Sequence, residues 1–288
     1  MNKLQKEFKK FEESLNLREN TIKEYIDSIN MFEKWYLEKY NKKLITVKTY
    51  NNLTVDVTQQ FIFDIRKKLS VSSVNKHIAG IKQFYKFLRF EYKVTSNAFN
   101  GLKIPKDTLK EEKKMMIQEE GELLFNSSKD KDTKLMIGLM LYMGMRINEV
   151  SNIELDNINL DEMTITFIRK NQRLRTLPIR SEIRELIIDK VKEGKLNNNT
   201  FLFEGRNNSA IKTNTIRTRF NNLVKKLGLS KEYTPHQLRK LLATDLYYNK
   251  GMLLHEVSKI LDHSTLQVTE RYLIGTSDSR LHTKFANL

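Results

Sequence analysis

The chain has 288 residues, 51 Lys+Arg against 35 Asp+Glu, a formal net charge of +16, and no cysteine. Disulfide scaffolds, thiolate zinc sites, cysteine nucleophiles and iron–sulfur clusters are thereby excluded, and a reducing cytoplasm is the expected location. Charge excess of this size points to a polyanionic partner, with nucleic acid favoured over an acidic membrane.

From Thr21 to Tyr40 the apolar residues Ile22, Ile26, Ile29, Phe32, Tyr36 and Tyr40 recur every three or four positions, which predicts an amphipathic helix. Val55 to Leu69 and Ser72 to Tyr92 behave alike, through Val57, Phe61 and Ile65 and through Val74, Ile78, Ile81, Tyr85 and Leu88. These segments predict a small helical domain over residues 1–105. Its opposite faces carry Lys23, Lys34, Lys67, Lys68, Lys76, Lys82, Lys86 and Arg89, which suit a phosphate backbone and equally suit a solvated surface. The domain is the more basic part of the chain: residues 1–106 hold 21 Lys+Arg and 11 Asp+Glu.

Residues 106–114 combine dense charge with a preceding Gly and Pro and read as a linker to a second domain, 115–288. Helices are expected near 118–126 and 132–144, then strands at 163–168 and 175–179 that form a β-hairpin. Helices resume at Ser181 and fill the remainder. The fold class is therefore mainly α with a small β-hairpin or sheet. The longest uncharged apolar run, Leu135 to Met145, is about half the ~20 residues of a membrane span and reads as a buried helix. The basic start of the chain lacks the apolar stretch of a secretory signal.

Thr234-Pro235-His236-Gln237-Leu238-Arg239 reads as a helix start, with Thr234 as N-cap and Pro235 at the first helical position. His236 and Arg239 then share one face of the first turn, where the helix dipole also favours an anion. Three further boxes accompany this one: Gly144-Met145-Arg146-Ile147-Asn148-Glu149, Ile260-Leu261-Asp262-His263 and Thr269-Glu270-Arg271-Tyr272. Together they resemble the tyrosine recombinase (phage integrase) family, whose boxes run Gly-x-Arg-x-x-Glu, His-x-x-Arg, Leu-Gly-His and a tyrosine nine residues later, the separation of His263 and Tyr272. The resemblance covers 115–288 by motif, and residues 1–105 resemble the family's core-binding domain by pattern.

The resemblance implies a compact Xer-type or mobile-element site-specific recombinase that cleaves and rejoins DNA through a 3′-phosphotyrosyl intermediate, for integration, excision or resolution of DNA dimers. Tyr272 is then the nucleophile, and Arg146 and Arg239 clamp the phosphate; two guanidinium forks suit the charge that builds on its nonbridging oxygens. Glu149 orients the clamp, and His236 and His263 hydrogen-bond the phosphate and assist proton movement. Lys170, counted back from Pro178, matches the hairpin lysine that protonates the departing 5′-oxygen; Arg173 is too weak an acid for that task. Two departures stand out: Asp262 replaces the family's glycine, and Arg169 and Asn171 replace the glycines around the lysine.

The bond energy stored in the ester makes ATP or any other cofactor unnecessary, and no metal is expected, since no carboxylate or histidine cluster has ligand spacing. The partners implied are double-stranded DNA, other copies of the chain (two per site, four per synapse) and a candidate accessory protein, with no membrane. Leu281, Phe285 and Leu288 in the tail either pack on their own domain or dock on a neighbouring protomer. Two alternatives remain at this stage: a type IB topoisomerase-like nicking-closing enzyme, and a catalytically silent DNA-binding protein of the same fold.

Overall fold

The structure is a computed structural model and describes residues 1–102, 114–168, 174–263 and 265–273. The chain divides into two compact units, Met1–Glu111 and Glu112–Leu288. The division falls inside the segment read as a linker, most of which lies outside the described residues.

The described residues of the first unit form five helices: α1 (Lys3–Ser14), α2 (Glu19–Lys39), α3 (Val47–Asn51), α4 (Val55–Arg66) and α5 (Val71–Tyr92). Neither α1 nor α3 was expected. Helix α1 is mostly charged and starts on a reciprocal cap, in which Asn2 Oδ1 accepts from Gln5 N at 2.9 Å and Gln5 Oε1 accepts from Asn2 N at 3.2 Å. Its few apolar residues nonetheless anchor it, for Phe8 is wholly buried and lies edge-on to Phe84 at 5.1 Å. The core is aromatic: Phe32 meets Phe61 and Phe99, each at 5.2 Å. Helices α2 and α5 approach closely at Gly80, where a Cβ would stand 2.8 Å from Ser28 Oγ.

The core of this unit also encloses Glu33, which accepts from Tyr50 Oη at 2.9 Å, Gln5 Nε2 at 2.8 Å and Asn2 Nδ2 at 3.0 Å. Burial raises its carboxyl pKa above the ordinary value, against the opposing effect of those hydrogen bonds. Of the basic residues read on the outer faces, all but the half-buried Lys82 are exposed. Lys34, Lys67 and Lys76 pair with Glu38, Asp64 and Glu24.

The second unit opens with α6 (Gln118–Ser127), α7 (Lys131–Tyr142) and the single-turn α8 (Ile147–Ser151). Helix α7 is apolar nearly all round because it runs through the core: Leu135, Met136, Ile137, Leu139, Met140 and Leu141 are at most 2% exposed. A three-stranded antiparallel sheet follows, β1 (Ile158–Asn159), β2 (Thr164–Ile168) and β3 (Leu174–Pro178), in the order β1-β2-β3. Ile158 pairs with Ile165, and Thr166 pairs with Thr176. The expected hairpin thus gains a short third strand, and Met163 sits in a turn at φ 51° instead of starting β2.

Beyond the sheet come α9 (Arg184–Leu196), α10 (Thr213–Lys226), α11 (Pro235–Thr244), α12 (Leu254–Leu261) and α13 (Leu266–Leu273). Helices of α type do not fill this whole region: around residue 205 the chain forms isolated bridges, Glu154 to Phe201 and Glu204 to Ala210, about a 3-10 turn at Arg206–Asn208. Helix α11 packs on α7 and continues into a π-helical turn, Asp245–Asn249. Among the described residues no helix is long and apolar enough to cross a membrane.

Candidate active site

The first box lies where α7 ends. Gly144 adopts φ +63°, a region open to glycine, and a Cβ there would come within 2.6 Å of Leu261 and 2.8 Å of Leu242. This turn aims the Gly144 carbonyl inward and leaves Arg146 as the N-cap of α8. Glu149, three residues on, uses both carboxylate oxygens: Oε2 accepts from Arg146 N at 2.7 Å and Oε1 from Arg146 Nη1 at 2.8 Å. The carboxylate thus caps α8 and fixes the guanidinium that precedes it.

Helix α11 supplies the second box. Pro235 occupies its first helical position, and Thr234 is the N-cap residue by backbone conformation, although its side chain makes no capping bond. Arg239 is 1% exposed. It donates from Nη1 to the Gly144 carbonyl and from Nη2 to the Leu261 carbonyl. Its Nε is buried without a hydrogen-bond partner among the described residues. Burial and the repulsion of Arg146 push its pKa down to about 10, so it remains a cation at neutral pH.

The end of α12 holds both guanidiniums. Asp262 adopts the left-handed conformation there, φ 48°, ψ 62°. Its carbonyl accepts from Arg146 Nη2 at 3.0 Å, while the carbonyl of the preceding Leu261 holds Arg239. Two successive carbonyls therefore tie down two arginines. The departure from glycine at 262 preserves the backbone turn, since aspartate is one of the few residues that enter this region readily.

Helix α13 brings Tyr272 to the same place. The residue is 8% exposed, and its hydroxyl is 2.8 Å from His236 Nε2. The His236 ring stands edge-on to the tyrosine ring at 5.2 Å, and the His263 ring lies at 4.4 Å. Desolvation, followed by the charges of Arg239, Lys240 and Arg146, pushes the His236 pKa down to about 4. His236 is therefore neutral at physiological pH, and Nε2 is free to accept the Tyr272 proton.

Arg146, Glu149, His236, Arg239, His263 and Tyr272 thus meet in one cluster. Lys170 lies outside the described residues, as do Arg173 and the tail with Leu281, Phe285 and Leu288. His77 bonds Ser28 in the first unit, far along the chain from these boxes. Three contributors escaped the sequence reading. Lys240 places Nζ 5.6 Å from the Tyr272 ring centroid, Thr269 bonds His263, and the Leu261 carbonyl holds Arg239. All three sit inside or beside the recognised boxes, yet only the packing of α11, α12 and α13 discloses their contacts. No group of His, Asp or Glu among the described residues is arranged to hold a metal ion.

The model of the phage integrase family matches residues 108–277, and that of the phage integrase N-terminal SAM-like domain matches residues 7–91. The chain belongs to the phage integrase family, the tyrosine recombinases. It is 29% identical to tyrosine recombinase XerC of Oceanobacillus iheyensis over 96% of this chain and 94% of the relative. It is 26% identical to tyrosine recombinase XerD of Halalkalibacterium halodurans over 92% and 89%. Among solved structures, the Tn1549 transposon integrase in complex with transposon right end DNA has a TM-score of 0.74 at 17% identity, over 99% of both chains. XerH site-specific recombinase bound to a palindromic difH substrate has 0.71 at 19%, over 92% of this chain and 79% of that one. These likenesses place the mainly helical fold with its small sheet among the integrases.

Proposed function

We propose that this recombinase cuts and rejoins double-stranded DNA at specific sites, with Tyr272 as nucleophile. The observation that carries the reading is the 2.8 Å pairing of the Tyr272 hydroxyl with the neutral His236 Nε2 beside two arginines tied to main-chain carbonyls. His236 accepts the phenolic proton as Oη forms its bond to phosphorus. Arg146 and Arg239 stabilise the charge that accumulates on the nonbridging oxygens, and His263 donates a further hydrogen bond to them. The buried Nε of Arg239, without a hydrogen-bond partner among the described residues, supports this, because a buried donor left unsatisfied is costly unless a ligand oxygen completes it.

The phosphorus–O5′ bond then breaks, and the departing oxygen takes a proton from Lys170. The 3′-phosphotyrosyl ester keeps the energy of the original bond, so a 5′-hydroxyl from the same or another strand reverses the step without ATP. Glu149 keeps Arg146 aimed and touches no substrate. In this reading the basic N-terminal unit grips the duplex backbone, two protomers occupy each site, four form the synapse, and an accessory protein directs the outcome in the cytoplasm. The assembled tyrosine–histidine pair favours this over a catalytically silent binder.

The test is covalent trapping on nicked, radiolabelled duplexes from the native locus. Wild type is expected to give a detergent-resistant adduct and Tyr272→Phe none. Tight binding without any adduct would overturn the catalytic reading. Relaxation of supercoiled plasmids lacking a site, without strand exchange, would instead identify a nicking-closing enzyme.

A further inference from the structure

Helix α13 carries a second polar group on the face of Tyr272. Thr269 precedes the tyrosine by three residues, which sets both on one side of the helix. Thr269 is fully buried, and its hydroxyl lies 2.8 Å from His263 Nδ1. Helical threonines can return their hydroxyl to the carbonyl four residues back, as Thr244 does to Lys240 and Thr218 does to Asn214. Thr269 does not: among the described residues its hydroxyl bonds His263.

A buried hydroxyl has one proton to give, and an unsatisfied buried donor is costly. With the His263 ring nitrogen as its acceptor, Thr269 satisfies that proton only if Nδ1 presents a lone pair. The imidazole proton must then sit on Nε2. Were Nδ1 protonated, it would donate to the hydroxyl oxygen, and the hydroxyl proton would need a second acceptor; among the described residues the Thr269 hydroxyl makes no second hydrogen bond. The tautomer is thus dictated by a neighbour on the next helix.

We propose that Thr269 is the positioning residue of His263, holding it as the neutral Nε2–H tautomer that donates to the phosphate. The inference rests on the recombinase reading of the site. It gives the two histidines opposite parts: His236 offers a lone pair on Nε2 to the tyrosine, and His263 offers a proton on the same atom. Because Thr269 and Tyr272 share a helix of eight residues, any shift of α13 that withdraws the nucleophile also releases His263 from its tautomer.

The test pairs kinetics with a direct view of the ring. Thr269→Val keeps shape and removes the hydroxyl, whereas Thr269→Ser keeps the hydroxyl. Loss of such a supporting hydrogen bond is expected to slow adduct formation about 2–10-fold in Thr269→Val, with DNA retention and thermal midpoint held and most of the rate restored in Thr269→Ser. In full-length, DNA-free protein labelled with ¹⁵N-histidine, neutral His263 is expected as Nε2–H in wild type and Thr269→Ser, and as a mixture of tautomers in Thr269→Val. A wild-type proton on Nδ1, an unchanged tautomer in Thr269→Val, or no rescue by serine would each overturn the proposal. The wild-type tautomer needs no variant and decides the matter should Thr269→Val fail to fold. If wild type forms no adduct, the recombinase reading fails while the tautomer comparison still settles what Thr269 does.

Discussion

Tyr272 and His236, 36 residues apart in the chain, form a hydroxyl–imidazole pair 2.8 Å long at the junction of α11 and α13. Desolvation, joined by the charges of Arg239, Lys240 and Arg146, holds the imidazole pKa at about 4. In the proposed reading, burial and the same cations that would stabilise a phosphorane together keep His236 unprotonated before substrate arrives.

The pH dependence of His236 follows from that arrangement. Because its folded value is depressed, the unfolded chain takes up the proton first, between about 6.5 and about 4. The stability contributed by the neutral ring is complete above about 6.5 and is lost as pH falls toward about 4. The imidazole resonance of His236 in the DNA-free protein is expected to titrate near 4. An acid midpoint near the ordinary histidine value would refute the neutral-base arrangement.

Glu149 binds both the backbone and the guanidinium of Arg146, so its removal disturbs aim more than charge. Glu149→Gln retains one acceptor and loses the charge-assisted bond, worth about 1.5–3 kcal/mol to a charged group when buried and less here, where Arg146 is 39% exposed. The expected result is a cleavage rate lowered about tenfold with duplex affinity little changed. Equal loss of affinity and rate would mean that Glu149 serves the fold of α8 alone.

Much of this site was legible in the sequence because its chemistry sits in contiguous boxes. Arg146 and Glu149 are one helical turn apart, and His236 and Arg239 are another, so local spacing already reports shared faces. The convergence of the boxes is tertiary, and so are the contacts that a motif does not encode: the Leu261 and Gly144 carbonyls on Arg239, the Thr269 hydroxyl on His263, and Lys240 beside the Tyr272 ring. Elements escaped for similar reasons. Helix α1 is too charged for its period to stand out, and β1 is only two residues long, formed because Ile158 finds Ile165 across the sheet. The expectation at Thr234 was right about position and wrong about the side chain, which makes no cap bond; Pro235 already removes one unsatisfied N–H there.

Gly144 joins fold and site in one residue. Its positive φ and the close approach of Leu261 and Leu242 exclude a methyl group, and its carbonyl holds Arg239. Gly144→Ala therefore faces backbone strain of about 1–2 kcal/mol and a clash in a packed core costing about 1–3 kcal/mol. A clearly lowered melting midpoint and loss of adduct formation are expected together. A variant that melts normally yet fails to cleave would show that only the carbonyl's aim had changed.

Asp262 stands where the family carries glycine, and its conformation explains what that position must supply. The backbone must turn left-handed at φ 48° so that the Leu261 and Asp262 carbonyls face Arg239 and Arg146. An aspartate meets this requirement at a cost of about 1 kcal/mol relative to glycine, and in the proposed reading it adds an exposed carboxylate to the turn that holds the phosphate-binding arginines. Asp262→Gly removes both burdens while leaving the two carbonyls in place. For a unit of this size the relief is expected to raise the melting midpoint by about 2–4 °C, partly offset by the greater freedom of glycine in the unfolded chain. Cleavage of nicked duplexes is expected to quicken, with the gain larger at low salt, where the carboxylate repels phosphate over a longer range. Asp262→Asn separates the two effects: it keeps the side chain's tolerance of the left-handed region and removes the charge. A faster Asp262→Asn with an unchanged midpoint would assign the restraint to electrostatics; a slower Asp262→Gly would show that the carboxylate itself takes part in holding the clamp.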